Sequence, residues 1–522
     1  MRRVSWIGAA VAAALALAPG AAASQARGGS DAVLQAIWDE GMRNSQVQPL
    51  AQALLDSVGP RLVGSPGILA ASDWVIGQYR SWGVNARREQ WGTWTGWEQG
   101  TLHVDLLAPR VRTMQAWLAP WSPGTSGPVT ADVVVLPRFA NAAEFAAWLP
   151  QARGKWVLTA FPQPTCRPDD NWEKWARPET LTRMKAERDT ARAEWNARVE
   201  ATGLTARDLP KRLEAAGAAG ILTGNWNRGW GANFNYARSR TERIPTVDLS
   251  CEDYGLLYRL AHNRQGPKLR VDATAQLRGD VPAFNTIAEV RGRARANEYV
   301  MLSAHFDTWQ TASGATDNGT GTVVMMEAMR ILRKVYPNPR RTLLVGHWSG
   351  EEQGLNGSRA FVQDRPEVAA GLQALFNQDN GTGRIANIGM QGFTEAGTYF
   401  RRWLSRIPAD ITQEIKLDDP GTPSTGGSDH SAFVCSGAPA FSLGSLSWDY
   451  GTYTWHTNID TYDKIAFDDV RQNAVLVAML AYLASEEPER FPRARRTDLK
   501  NDAGQSWPPC QAPTREAALS TR

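Results

Sequence analysis

The sequence contains few cysteines, few histidines and little net charge. Among its 522 residues there are four Cys and six His, and the formal net charge is +4. No two cysteines form a Cys-x-x-Cys pair, so a zinc site built from thiolates is not expected. The small net charge gives no reason to expect a nucleic-acid partner, because surfaces that bind nucleic acid are strongly basic.

Long apolar runs are also scarce. The run from Val11 to Leu17 is too short to anchor the chain in a bilayer, and no later segment is long and apolar enough. Two arginines before this run and the small residues 21–26 after it complete the three parts of a secretory signal peptide. We therefore expect residues 1–26 to be a cleaved signal peptide and the mature protein to be secreted or periplasmic, with no membrane span.

The four cysteines suit an exported protein, since disulfides persist in oxidising compartments. Cys166 and Cys251 lie in the middle of the chain, and Cys435 and Cys510 lie in its last part. One disulfide within each region is the simplest of the three possible pairings.

The length and the composition indicate a soluble globular protein with more than one unit. At 522 residues the chain exceeds one ordinary hydrophobic core, so we expect two domains or one domain with an insertion. Its 43% hydrophobic and 21% charged residues are typical of soluble proteins. The 22 tryptophans favour core and inter-domain packing over an aromatic carbohydrate-binding cleft.

From Asn285 onward, strand and helix patterns alternate regularly, which predicts an α/β fold with a mixed, mostly parallel sheet flanked by helices. The predicted strands are Thr286–Val290, Tyr299–Ala304, Thr342–His347, Ala374–Gln378 and Ala438–Leu443. The predicted helices are Thr322–Val335, Ser358–Asp364, Thr398–Ile407, His430–Val434 and Asp468–Ser485.

Before Asn285 the pattern is less regular. Helices are predicted over 30–44, 47–58, 70–82, 213–220 and 254–263, and strands over 84–94, 102–107, 131–136, 154–160, 221–223 and 244–249. A charged, Trp-containing stretch from Asp169 to Arg207 predicts a solvated helical hairpin or lid. A cover over an active site is the alternative for that stretch.

Acidic and imidazole side chains follow two of the predicted strands at the points where those strands end. His305 and Asp307 follow the first strand, and Asp317 lies in a Gly-rich loop before a helix. Glu351 and Glu352 follow the second strand. Reactive groups of an open α/β sheet collect where strands end and loops begin, so one imidazole and four carboxylates at such places indicate metal chemistry.

Two further residues complete a set for two metal ions. Asp379 follows the predicted strand 374–378, and His456 lies in the stretch W-H-T-N-I-D. Imidazole and carboxylate ligands suit zinc, and two such ions can polarise a carbonyl and activate water. Asp307 is placed to hold the other nitrogen of His305, a contact that orients a ligand imidazole. The stretch G-G-S-D-H lacks the pattern of a serine nucleophile.

The motifs, in their order and spacing, resemble the M28 dinuclear zinc exopeptidases, and most closely the carboxypeptidase Q branch of that family. They are H-F-D, T-D-N-G-T-G, S-G-E-E-Q-G, Q-D-N-G and W-H-T-N-I-D, with V-G-P-R-L-V-G-S and G-G-S-D-H-S-A-F. The resemblance spans residues 34–485 and implies that His305, Asp317 and Asp379 hold one zinc ion. It further implies that Asp317 bridges to a second zinc ion, that Glu352 and His456 complete that ion, and that Glu351 is the general acid/base.

The resemblance also implies a domain layout. A β-rich, α+β protease-associated domain would occupy residues 115–284, with the helical insertion 169–207. It would separate residues 27–114 from the catalytic domain, residues 285–486, which would have the zinc exopeptidase fold and be followed by a tail, residues 487–522.

The activity implied is hydrolysis of short peptides or dipeptides by a secreted exopeptidase with two Zn²⁺ ions, of the carboxypeptidase or dipeptidase kind. Aminopeptidase action by the same metal core is the alternative, and a non-catalytic peptide-binding protein is a more remote one. The expected partner is a short peptide substrate, and a homodimer is left open.

Several of these residues have a structural alternative. Glu351 and Glu352 could form an acidic pair at the start of a helix, and Asp379 could be a turn aspartate. His430 is as well explained by a structural role as by contact with substrate. Ser428 is expected to cap the helix that begins beside it.

Overall fold

The computed structural model describes residues 31–236, 238–424, 426–500, 504 and 506–516, and the predicted signal peptide lies outside these ranges. Within them, fourteen strands form one sheet. In chain order the strands are β1 Asn85–Ala108, β2 Arg112–Thr113, β3 Ala116–Leu118, β4 Val129–Val135, β5 Trp156–Leu158, β6 Gly220–Thr223, β7 Thr246–Leu249, β8 Lys268–Val290, β9 Arg295–His305, β10 Arg341–Trp348, β11 Leu372–Gln378, β12 Ile385–Gly389, β13 Lys416–Asp418 and β14 Ala440–Ser445.

The α-helices of the described ranges lie between these strands. They are α1 Ala32–Arg43, α2 Val47–Gln52, α3 Pro66–Ser81, α4 Ala142–Trp148, α5 Asp169–Trp175, α6 Pro178–Glu200, α7 Leu209–Ala215, α8 Cys251–His262, α9 Thr320–Val335, α10 Asn356–Asp364, α11 Pro366–Gly371, α12 Ala396–Leu404, α13 Ala409–Thr412, α14 His430–Cys435, α15 Tyr450–Tyr453 and α16 Phe467–Glu486. Ala53–Val58 and Ala315–Gly319 are π-helical turns, and Leu149–Ala152 and Tyr462–Lys464 are 3-10 turns.

The sheet runs in the order β13-β12-β14-β11-β9-β10-β8-β4-β5-β6-β7-β3, with β1 paired to β8 and β2 to β1. The neighbours β14, β11, β9 and β10 are parallel to one another. β8 runs antiparallel to β10, and β12 runs antiparallel to β14. The predicted mixed, mostly parallel sheet flanked by helices is therefore confirmed.

The central strand β9 is buried on both faces. Every residue from Val300 to His305 is buried, as expected for a parallel strand whose crossover connections place helices on both sides of the sheet. α9 makes the crossover from β9 to β10, and α10 with α11 makes the crossover from β10 to β11. α16 packs against α9 and is buried without interruption from Asn473 to Ser485, so this helix lies inside the protein.

Strands β1 and β8 are long and pair along most of their length. They have 24 and 23 residues and run antiparallel. The sequence predicted two separate strands where β1 is continuous, because the glycines in this stretch resemble turn residues. The register shifts beside Gly92 and between Thr95 and Trp97, and such bulges let a strand bend and twist without ending. β1 and β8 thereby join the central strands to a smaller α/β region within residues 115–284.

The charged stretch from Asp169 to Arg207 is helical, as predicted, and consists mainly of α5 and α6. Trp195 and Val199 of α6 pack with Leu209 and Leu213 in one hydrophobic cluster. Arg188, only 4% exposed, pairs with Asp169 at 2.7 Å and so ties α6 to α5.

Two disulfides join Cys166 to Cys251 and Cys435 to Cys510. This is the simplest of the pairings considered, and the prediction is confirmed. None of the helices in the described ranges combines the length and the hydropathy that a bilayer span requires.

Candidate metal centre

Three parallel strands bring the predicted site residues to one edge of the sheet. β9 ends at His305, β11 ends one residue before Asp379, and β10 ends at Trp348, three residues before Glu351. β9 lies between the other two, and Trp348 is paired with His305 in the register. Because all three strands are parallel, their carboxyl ends meet, which is where an open α/β sheet holds its ligands.

Asp317 reaches the same edge from the π-helical turn that precedes α9. The backbone N–H groups of Thr316 and Asp317 donate to the two carboxylate oxygens of Asp460, at 2.8 and 3.0 Å. Asp460 is 2% exposed, and burial raises its pKa to about 7. A single buried carboxylate thus fixes the backbone at Asp317.

The side chains of five predicted residues form two triplets that share Asp317. In the first, Nε2 of His305 lies 3.0 Å from Asp379 and 3.2 Å from Oδ1 of Asp317. In the second, Nε2 of His456 lies 2.8 Å from Glu352 and 3.2 Å from Oδ2 of Asp317. The candidate ligand atoms of each triplet all lie within 4.8 Å of one another. Asp317 therefore presents one oxygen to each triplet.

The charge in this cluster fits divalent cations. The side chains of Asp317, Glu352 and Asp379 are 5%, 2% and 9% exposed. Among the residues that the structure describes, no Lys or Arg forms an ion pair with any of the three, and Oε1 of Glu352 has no hydrogen-bond partner. Buried carboxylates without a compensating charge are costly, so a cation held by the two imidazoles and these oxygens would satisfy them.

Burial raises the pKa values of the two adjacent glutamates, Glu351 and Glu352. It raises the pKa of Glu351 well above the usual value, and the nearby charges of Asp379 and Asp429 raise it further against the opposing effect of His305. It raises the pKa of Glu352 as well, with a further contribution from Asp317. Metal binding at such a site releases protons and therefore depends on pH.

The pKa of His305 moves in the direction that its neighbouring carboxylates Asp379, Glu351 and Asp317 produce. Burial alone would lower it, but the negative charges of Asp379 and Glu351 outweigh burial and raise it well above the usual value. The imidazole therefore lies in a strongly negative environment that also attracts a metal cation.

Asp307 contacts the site differently from the prediction. Its backbone carbonyl, not its carboxylate, lies 3.0 Å from Nδ1 of His305; the nearest carboxylate oxygen is 3.9 Å away. The carboxylate instead accepts the backbone N–H groups of Glu351 and Glu352, at 3.2 and 3.3 Å. The order of the residues suggested a contact between Asp307 and His305, but it could not show that the Asp307 side chain accepts from the Glu351–Glu352 turn.

His430 lies buried at the start of α14, at 6% exposure. Burial lowers its pKa to about 4, and its Nδ1 has no hydrogen-bond partner among the described residues. The predicted cap at Ser428 is wrong, because α14 has no side-chain cap and the Ser428 hydroxyl accepts from Asn377 at 2.8 Å instead.

Three residues near the cluster were not singled out from the sequence. Asp460 and Trp309 contact candidate ligands directly. Asp460 accepts the backbone N–H of Asp317, and Nε1 of Trp309 donates to Glu352 at 2.8 Å. Arg61, fully buried, donates to the backbone carbonyls of residues 59, 306, 313 and 314. Arg61 and Asp460 lie inside the motifs V-G-P-R-L-V-G-S and W-H-T-N-I-D, but nothing in a motif shows which backbone groups a side chain will meet.

Comparison with known proteins agrees with this geometry. Residues 285–481 match the model of peptidase family M28. Carboxypeptidase Q of Bos taurus is 25% identical over 443 residues, which cover 84% of this chain and 85% of that protein.

Two solved structures share the fold. A peptidase M28 precursor from Shewanella amazonensis has a TM-score of 0.62 at 22% identity, covering 89% of this chain and 99% of the other. A zinc aminopeptidase from Bacillus subtilis has a TM-score of 0.54 at 19% identity, covering 85% and 95%. The family match covers the strands that carry the cluster, so residues 285–481 form a region of the peptidase family M28, and the two solved structures show that the fold is shared.

Proposed function

We propose that the protein is a secreted exopeptidase with two zinc ions, which hydrolyses short peptides or dipeptides in the manner of a carboxypeptidase or dipeptidase. The observation that carries the proposal is the position of Asp317, whose two carboxylate oxygens face His305 and His456 separately at 3.2 Å each. A carboxylate shared in this way suits a pair of cations better than a single one.

The ligands divide between the two ions. His305 and Asp379 would hold one ion, Glu352 and His456 would hold the other, and Asp317 would bridge them. Two zinc ions in this set would supply Lewis acidity, which polarises a peptide carbonyl and makes a water molecule more acidic.

Glu351 would be the general acid/base. It is adjacent to Glu352 in the chain, and its raised pKa suits a group that takes a proton from water and returns it to the leaving amine. The Asp307 carboxylate supports this role by holding the Glu351 backbone N–H at 3.2 Å. A positioned acid/base contributes about 100- to 10,000-fold to a rate.

Aminopeptidase action is the second candidate. The Bacillus subtilis structure that shares the fold is named a zinc aminopeptidase, whereas carboxypeptidase Q matches along 84% of this chain. The higher sequence identity of carboxypeptidase Q, 25% against 19%, favours the carboxypeptidase or dipeptidase. His430 would then be a substrate contact, for which its unpartnered Nδ1 is suited.

The remaining expectations concern location and organisation. The two disulfides support an oxidising compartment and therefore export. Residues 115–284 would be a protease-associated domain carrying the 169–207 insertion, and residues 27–114 and 285–486 would form the peptidase domain. A homodimer stays a prediction, which sedimentation analysis of the mature protein tests.

Elemental analysis and assays of terminally blocked peptides test the proposal. We expect two zinc ions per chain, cleavage of N-acetylated dipeptides and no cleavage of C-terminally amidated ones. Glu351→Gln should lower kcat by about 100-fold or more while zinc content stays at two, and Glu367→Gln, a change at an exposed residue, is the matched control. Full activity of Glu351→Gln would contradict the assigned role, and the opposite preference for blocked peptides would favour the aminopeptidase.

A further inference from the structure

His456 has a backbone conformation that is uncommon for residues other than glycine. Its φ angle is +54°, in the left-handed region that non-glycine residues avoid because Cβ approaches the carbonyl oxygen. Such a conformation persists only where the surrounding structure holds it. His456 is also one of the two candidate imidazole ligands, so whatever holds this backbone also decides where the ring points.

The two candidate imidazole ligands are oriented in different ways. Nδ1 of His305 contacts the Asp307 carbonyl at 3.0 Å, whereas Nδ1 of His456 has no hydrogen-bond partner among the described residues. A ligand histidine usually has its ring fixed by a hydrogen bond at the nitrogen that faces away from the metal. The ring of His456 instead stacks on Trp455 with centroids 4.2 Å apart. Its position must therefore depend on the backbone.

A loop from the smaller α/β region holds that backbone. The loop follows β6, and its Asn235 backbone N–H donates to the carbonyl of His456 at 2.8 Å. Asn233 and Asn458 pair reciprocally: the Asn233 backbone N–H donates to Oδ1 of Asn458 at 2.6 Å, and the Asn458 backbone N–H donates to the Asn233 carbonyl at 3.2 Å. Nδ2 of Asn458 donates to the Gly231 carbonyl at 3.0 Å. Residues 456–458 thus pair with the loop as in a short antiparallel bridge.

The loop is itself anchored in the core of the smaller region. Asn233, 1% exposed, donates through Nδ2 to Oδ2 of Asp248 at 3.0 Å and to the Leu249 carbonyl at 2.6 Å. Asp248 also accepts the backbone N–H of Asn225, where the loop begins, at 3.1 Å. A continuous set of hydrogen bonds therefore runs from the buried Asp248 on β7 to the backbone at His456.

We propose that Asn233 and Asn458 are positioning residues for His456, so that residues 115–284 complete the second metal site although they contribute no ligand to it. The inference rests on the proposed two-zinc function. It predicts that the affinities of the two zinc ions change differently when the hydrogen bonds between Asn233 and Asn458 are lost. The ion at His305, Asp317 and Asp379 keeps its affinity, and the ion at Glu352 and His456 loses it. Changing a group that orients a ligand typically lowers metal affinity about 10- to 100-fold.

Zinc titration of the chelator-stripped full chain by calorimetry tests the inference, with equilibrium dialysis for stoichiometry. The wild type is the reference for two bound ions, and His456→Ala is the reference for one tightly bound ion. We expect Asn458→Ala to keep one ion at wild-type affinity and to bind the other at least tenfold more weakly. Asn458→Asp, which keeps the Oδ1 acceptor, should lie between Asn458→Ala and the wild type.

Asn473→Ala is the matched control. The Asn473 side chain also accepts one backbone N–H, from Ile385 at 2.8 Å, and donates to one backbone carbonyl, that of Gly383 at 2.9 Å. This variant should lose thermal stability yet bind two ions with unchanged affinities. If Asn458→Ala does not fold, Asn227→Ala gives a second test, because Nδ2 of Asn227 donates to the carbonyls of Gly451 and Thr452 on the segment before His456.

The outcomes separate the two proposals. A wild type that does not bind two ions would contradict the two-zinc function itself. A wild type that binds two ions, with Asn458→Ala and Asn227→Ala each binding both at unchanged affinity, would overturn the positioning role alone. Equal weakening of both sites in Asn458→Ala would also overturn it, because the Asn pair contacts only the His456 side.

Discussion

The carboxylate of Asp460 accepts the backbone N–H of Asp317 at 3.0 Å. Its other oxygen accepts the N–H of Thr316 at 2.8 Å, so the residue that both triplets share is held through its main chain by an acid 143 positions later in the sequence.

Asp460→Asn should weaken zinc binding. An amide can accept one of the two N–H groups but turns an NH₂ donor toward the other, and an unpaired buried donor costs about 1–3 kcal/mol. We expect lower thermal stability and zinc affinity lowered about 10-fold or more, measured by calorimetric titration. Asp463→Asn, at a side chain that is 70% exposed, should change neither quantity, and a normal zinc affinity in Asp460→Asn would contradict the assigned role.

Trp309→Phe should impair the second metal site selectively. The change keeps an aromatic ring but removes the N–H that donates to Glu352 at 2.8 Å. Glu352 then loses a donor that fixes its carboxylate, so we expect a several-fold weaker affinity for one of the two proposed zinc ions. Trp175→Phe, at a tryptophan that is 75% exposed, is the control for zinc titration, and it should behave as the wild type.

Arg61→Lys should destabilise the loop between His305 and Asp317. The guanidinium donates to four backbone carbonyls, three of them at 2.7 to 3.2 Å within residues 306–314. A lysine ammonium cannot match that planar set of donors, so about 1–3 kcal/mol of unfolding free energy should be lost. Urea denaturation measures this loss of unfolding free energy, with the exposed Arg110→Lys as the control. An unchanged midpoint for Arg61→Lys would show that the stability of the loop does not depend on the Arg61 side chain.

The chelator-stripped protein should lose stability as pH rises from about 6.5 to about 8. Burial raises the pKa of Asp460 to about 7 and of Asp429 to about 8. A carboxyl whose pKa is raised by folding stabilises the fold while it is protonated, and this stabilisation disappears as pH rises through the raised value.

Histidines do not reverse this trend within the same window. Burial lowers the pKa of His347 to about 3 and of His430 to about 4, so their effect on stability ends near the pKa of the unfolded chain, about 6.5. Thermal melts of chelated and zinc-loaded protein at several pH values test the prediction. The melting temperature of the chelated protein should fall while the zinc-loaded protein changes less, and parallel curves would contradict it.

Much of the fold could be predicted from local pattern. The strands Tyr299–Ala304 and Ala374–Gln378 were found to within four residues at each end, because a fully buried parallel strand is an unbroken apolar run. The short strands β12, Ile385–Gly389, and β13, Lys416–Asp418, were not predicted, since neither has a clear alternation and β13 has no buried residue. Their strand conformation comes from pairing with distant neighbours.

The sequence by itself determined which residues could form the metal site, because imidazoles and carboxylates at strand ends are readable from residue type, order and spacing. Only the tertiary structure decided how these residues are held. The carbonyl rather than the carboxylate of Asp307 contacts His305, Asp460 holds the backbone of Asp317, and a loop from residues 225–236 supports His456. The physical reason is that a ligand's identity is a local property of the chain. Its orientation depends on hydrogen bonds that exist only after the chain has folded, and some of them, such as the one from Asp317 to Asp460, join residues 143 positions apart.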